Sequence, residues 1–144
     1  MIIYDFKPTE YSQEEVASAA LSVFTGDWKA PGSRRVGIGF VFPKICLVHG
    51  IRDDDNQARR QSAVKSTQLP KVGEWTRIKM SHEKVDEKYF LSLAVGGREL
   101  GRMEVTDPLL QKLTDVKVII GTRGTGGRFC QPGFIRRLVI LEKQ

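Results

Sequence analysis

The stretch from residue 73 to 100, GEWTRIKMSHEKVDEKYFLSLAVGGREL, constrains the fold more than any other part of the chain. Two runs of β-type residues, 75–80 and 89–95, flank a charged segment that contains His82 and Asp86-Glu87. The second run ends at Gly96-Gly97, and a short third run, 99–105, turns back from it. This reads as a strand-turn-strand-turn-strand meander, around which the remaining segments can be placed as further antiparallel strands.

Residues 2–7 read as a strand stopped at Pro8. Residues 10–20 have acidic residues after Ser12, as near a helix start, but only Val16, Ala19 and Ala20 on the apolar side. A short helical turn or a loop is expected there. A strand at 21–25 precedes a Gly/Pro-rich loop at 28–35. Then Val36, Ile38 and Phe40 alternate with Gly37 and Gly39, and after Pro43-Lys44 a strand follows at 45–49. Glycines on one face of a strand admit close approach by another backbone or a ligand. Residues 50–70 are the most polar part and read as a long loop, with a short strand near 62–65. After Pro108, Leu109, Leu110 and Leu113 suit a short helical turn. Residues 116–120 alternate as a strand, and 121–133 form a glycine-rich loop. The last strand, 134–141, is apolar except at Arg136 and Arg137, which places it near the middle of a sheet. Seven to ten short strands without a helix long enough for a crossover define an all-β antiparallel sandwich or barrel.

With 144 residues the chain suits one domain, residues 1–144. No apolar run approaches the ~20 residues of a membrane span. The N-terminus, MIIYDFKPTE, lacks a basic region followed by a long apolar run, and it opens inside a strand, as a trimmed mature domain would. The formal net charge of +6 favours anionic partners: sulfated or sialylated glycans, nucleic acid or acidic lipid. Cys46 and Cys130 fit one disulfide or two buried thiols equally well, and no CxxC or nearby histidine supports a metal site.

Catalysis finds little support. No E-x-D-x-E places two carboxylates on one strand face for glycoside hydrolysis, and no nucleophile elbow accompanies His49 or His82. His49 ends an apolar strand and reads as a partly buried hydrogen-bonding residue; His82 reads as exposed in a turn. Asp53, Asp54, Asp55 and Asn56 have oxygens for calcium but lack EF-hand spacing, so they read as a solvated turn balanced by Arg52, Arg59 and Arg60. The glycine-rich loop leads into a strand, not a helix, and is no P-loop. Basic residues gather in three places: Lys29, Arg34 and Arg35; Arg59, Arg60 and Lys65; Arg123, Arg128, Arg136 and Arg137. Convergence of these groups would give a polyanion charge-assisted hydrogen bonds from the guanidinium forks. No aromatic RNA-binding motif or recognition helix points to nucleic acid. Trp75 opens a strand and reads as a core anchor, whereas Trp28, in a loop beside Lys29, suits stacking on a sugar ring.

The order of motifs resembles the laminin G-like jelly rolls of the concanavalin A-like lectin/glucanase superfamily. GEWTRIKMS after Leu69-Pro70 is similar to the family's strand of pattern W-x-x-I-x-I. YFLSLAVGGREL looks like its strand ending in a Gly turn, and PGFIRRLVI like its closing strand; RRVGIGFVFPKICLVHG fits the preceding pair. The resemblance covers residues 34–142, and residues 1–33 match loosely. It implies a jelly-roll sandwich outside cells that binds glycans, glycosaminoglycans or proteins, a minority of such domains being hydrolases. A bridge between Cys46 and Cys130 would lie where such domains often carry one near the C-terminus.

The sequence therefore leads to a secreted, non-catalytic binding module without cofactor or metal. Its ligand, a glycan or sulfated polysaccharide, is expected at Trp28, Lys29, Arg34, Arg35, Arg59, Arg60, Arg123 and Arg128. The alternative is a structural or oligomerisation domain that pairs with a protein partner, or with its own kind, through a sheet face or edge.

Overall fold

The computed structural model describes residues 1–11, 18–25, 32–41, 43–52, 58–107, 111, 116–120 and 132–141. Ten strands occur among them: β1 (Ile2–Pro8), β2 (Ser18–Thr25), β3 (Arg34–Val41), β4 (Lys44–Arg52), β5 (Ala58–Ser66), β6 (Thr76–Val85), β7 (Lys88–Val95), β8 (Arg98–Val105), β9 (Val116–Ile120) and β10 (Gly133–Ile140). Sheet A has the order β10-β1-β6-β7-β8 and sheet B the order β5-β4-β3-β2-β9. Every pairing is antiparallel, and the two sheets pack face to face as an all-β sandwich.

Period-2 alternation builds the core. Tyr4 and Phe6 of β1, Ile78 and Met80 of β6, and Leu91 and Leu93 of β7 face Leu21 and Val23 of β2, Val36, Ile38 and Phe40 of β3, and Ile45 and Leu47 of β4. Burial of each large side chain in this set stabilises the fold by roughly 1.5–3 kcal/mol. The Phe6 and Phe40 rings lie 5.4 Å apart. Tyr11 packs on Phe40 from the edge of the core and donates its hydroxyl to the Pro70 carbonyl at 2.6 Å. At one side of the sandwich the edge strands β5 and β8 meet. A Cβ at Gly101, where φ is +154°, would lie 2.9 Å from Val64 Cγ1, so glycine permits this closure.

Several expectations are corrected. In the polar segment at 50–70, read as a long loop with a short strand near 62–65, that strand is present but extends to the nine residues of β5, which pairs with β4 at the margin of sheet B; as an edge strand it needs little apolar surface. Arg34 and Arg35 open β3 and do not belong to the preceding loop. Ser18 to Ala20, assigned to a helical turn or loop, begin β2; residues 12–17 lie outside the described residues. The charged segment containing His82 continues β6 as far as Val85, and the turn narrows to Asp86-Glu87. His82 is half-buried and stacks on Tyr89 at 5.6 Å. β10 lies at the edge of sheet A, and not at its middle, with Phe134, Val139, Ile140 and Leu141 exposed along it. Trp75 is 39% exposed and is covered on one ring face by Arg136, so it is no core anchor. Residues 121–131 of the expected glycine-rich loop and the leucines at 109, 110 and 113 lie outside the described residues, and Gly133, its expected last residue, opens β10.

Candidate functional site

The outer face of sheet A is organised by one carboxylate. Alternation along β1 sends Tyr4 and Phe6 inward and Asp5 outward, between Arg77 of β6 and Arg136 of β10 in the same cross-strand row. The pairing of β10 with β1 slips between Ile3 and Asp5, and Arg137 there adopts φ +53°. Such a bulge sets two residues of one strand against one of its neighbour. Arg136 and Arg137 consequently both reach Asp5.

Arg77 Nε donates to Asp5 Oδ1 at 3.1 Å, while Arg136 Nε and Arg137 Nη1 approach Oδ2 at 3.5 Å each. The Asp5 side chain is only 7% exposed, against 58%, 43% and 66% for Arg77, Arg136 and Arg137. The anion is thus covered while its cations face water. Burial alone would raise the Asp5 pKa, but the Arg77 hydrogen bond, followed by the charges of Arg77, Arg137 and Arg136, holds it below its ordinary value. Three guanidiniums against one carboxylate leave two positive charges uncompensated within the cluster. Lys7 and Lys79 occupy outward positions in the neighbouring rows of β1 and β6. The Arg136 guanidinium lies 4.0 Å from the Trp75 ring centroid, and this stacking fixes its plane.

A second polar cluster lies at one end of the core. Arg34 Nε contacts Asp107 Oδ2 at 2.5 Å and its Nη1 donates to the Gly32 carbonyl, while His49 Nε2 lies 3.7 Å from the same Asp107 oxygen. Asp107 follows β8 of sheet A, and Arg34 and His49 belong to β3 and β4 of sheet B, so the contact spans both sheets. The burial expected of His49 is exceeded, its side chain being 4% exposed, but the expected hydrogen bond is not formed at Nε2, which has no hydrogen-bond partner among the described residues. Burial lowers its pKa, Asp107 opposes that, and Arg34 adds to it. With Arg34 turned to Asp107 and 15% exposed, this cluster joins the sheets and offers a ligand little surface.

Of the residues singled out by sequence, Trp28, Lys29, Arg123 and Arg128, and the acidic run Asp53 to Asp55, lie outside the described residues. Arg34 is held as above. Arg35 is partly buried on β3, where desolvation lowers its pKa. Arg59 and Arg60 stand on β5 opposite Ile51 and Gly50. Arg136 and Arg137, already grouped with the third basic set, are joined by two residues that sequence reasoning missed, Asp5 and Arg77. The available signal was an acidic residue at an outward position of an otherwise apolar strand; its partners follow only from strand pairing. Cys46 is buried on β4, on the strand face opposite Ile45 and Leu47, and Cys130 lies outside the described residues. Among the described residues no group of three or more His, Cys, Asp or Glu is assembled that could hold a metal ion, and no helix is long and apolar enough to cross a membrane.

No family model and no curated protein matches the chain.

Proposed function

We propose that this chain is a non-catalytic binding module that takes an anionic polysaccharide, sulfated or uronic, on the outer face of sheet A. The observation that carries the reading is the exposed cluster of Arg77, Arg136 and Arg137 around buried Asp5. Arg77 and Arg136 approach Asp5 through Nε, which leaves the Nη ends of both forks for a second anion. Asp5 holds them in place before a ligand arrives, which lowers the ordering cost of binding. Trp75, exposed beside Arg136, adds an amphipathic surface suited to a sugar ring. The jelly-roll topology, the extracellular location and a Cys46–Cys130 bridge belong to this same reading.

Heparin-affinity chromatography tests it. The wild-type chain is retained at about 0.15 M salt, and R77S/R136S elutes well before it. Absence of wild-type retention, or unchanged elution of the variant, overturns the reading. A thiol count on the denatured, unreduced protein tests the bridge separately.

A further inference from the structure

β10 ends sheet A: β1 lies on one side of it, and among the described residues no strand pairs with the other. A strand paired on one side turns alternate N–H and C=O groups outward, and these attract a further strand. The side chains of this edge are unusually apolar. Phe134, Val139, Ile140 and Leu141 are exposed, and Val72 and Trp75 are exposed in the turn before β6. That turn is tied to the end of β1 by the Gly73 N–H, which donates to the Pro8 carbonyl. Ile140 pairs with Ile2 on the core-facing side of β10 and is still 51% exposed, so the core is unfinished at this margin.

The charges on β10 select what can finish it. Antiparallel pairing of two copies along β10 would bring Arg136 and Arg137 of one copy to about 4.8 Å strand spacing from those of the other, with like charges opposed. Those arginines instead favour carboxylates at cross-strand positions, flanked by apolar residues against Phe134, Val139 and Ile140. An anionic lipid surface would match the charge and the apolar side chains but leave the outward backbone groups of β10 without partners. We propose that the open edge of β10 accepts an extended, acidic and apolar segment of a partner protein as a sixth strand of sheet A. Main-chain hydrogen bonds would supply affinity, and Arg136 and Arg137 would set selectivity.

The probe is an end-capped peptide of about ten residues alternating glutamate with valine, matched in length to a strand. Titration into the full chain is expected to give saturable binding, with slowed amide exchange concentrated in β10. N-methylation at alternate peptide nitrogens should weaken binding by about tenfold or more, since it removes strand pairing and leaves the side chains intact. A lysine-for-glutamate peptide should not bind. Equal binding of the N-methylated peptide overturns the proposal. So does binding to phosphatidylserine vesicles with none to the peptide, or a concentration-dependent dimer that protects β10 without peptide. Heparin retention is scored independently. Peptide binding without it supports this edge alone, and retention without peptide binding sinks the edge while leaving the polysaccharide reading intact.

Discussion

Arg137 holds a backbone conformation that bulky L-residues rarely adopt, at φ +53° in the bulge of β10. A residue kept in this region costs of order 1 kcal/mol or more, and such strain gathers at functional positions. The gain here is geometric: the bulge sets Arg137 beside Arg136 over the Asp5 carboxylate. Exchange by glycine separates the two effects. R137G is expected to raise unfolding stability by about 1 kcal/mol in urea titrations while lowering the salt at which the protein leaves heparin. Lower stability with unchanged elution would make Arg137 a structural residue. None of this was legible in the sequence, where Arg136-Arg137 reads as an interruption of an apolar strand. A bulge has no composition of its own, and it exists only in the register with β1.

The strands were more legible than their places. The meander from β6 to β8 is present as the sequence implies, because both of its turns carry local signals. Gly96 and Gly97 have φ of +60° and +85°. Asp86 and Glu87 have φ of +47° and +65°, the doubly left-handed pair of a two-residue hairpin, and Lys84 bridges to Glu87 at 2.7 Å. Asn-Gly suits this geometry better than Asp-Glu. D86N/E87G is therefore expected to stabilise the protein by about 1 kcal/mol, net of the small loss of an exposed ion pair, as read from the urea midpoint. A lower midpoint would show that the turn relies on its charges. The extent of β5 and the place of β10 are hidden in the sequence for one shared reason. Apolar content reports how much of a strand is covered, not what covers it. β5 is polar and reads as a loop but for a short strand near 62–65, yet its ladder to β4 runs the length of Ala58–Ser66. β10 is apolar and reads as a central strand, yet Phe134, Val139 and Ile140 stand open at an edge.

For the molecule as a whole, the two sheets are joined not only by the apolar core but by the contact of Asp107 with Arg34 and His49. Both histidines are shifted down by burial: His49 with Asp107 opposing and Arg34 adding to the shift, His82 with a further contribution from the N-terminal ammonium. A histidine whose folded pKa is lowered contributes stability above its unfolded value of 6.5, and this is lost as pH falls below it. Stability is therefore expected to decline as pH falls through 6.5, with a slope of at most about 1.4 kcal/mol per pH unit for each histidine. Asp5, with a lowered carboxyl pKa, adds its own loss only around and below its ordinary 3.8. Urea midpoints across this range check the slope, and H49N should flatten part of it. A flat profile would mean that His49 accepts its proton in the fold. The sandwich itself could be read from alternation and turn residues, whereas this join between sheets could not, since it unites residues 73 apart in sequence.

The place of β1 between β10 and β6 also bears on how the molecule comes to exist. Met1 and Leu141, hydrogen-bonded across the end of that pairing, are 140 residues apart. Loop closure over such a span comes before any contact repays it, which slows folding. During synthesis β1 can gain β6 once residues 76–80 have emerged, but the side of it that pairs with β10 must wait until nearly all of the domain has been made. In that interval the unpaired side of β1 is open to capture by a chaperone or by a neighbouring nascent chain.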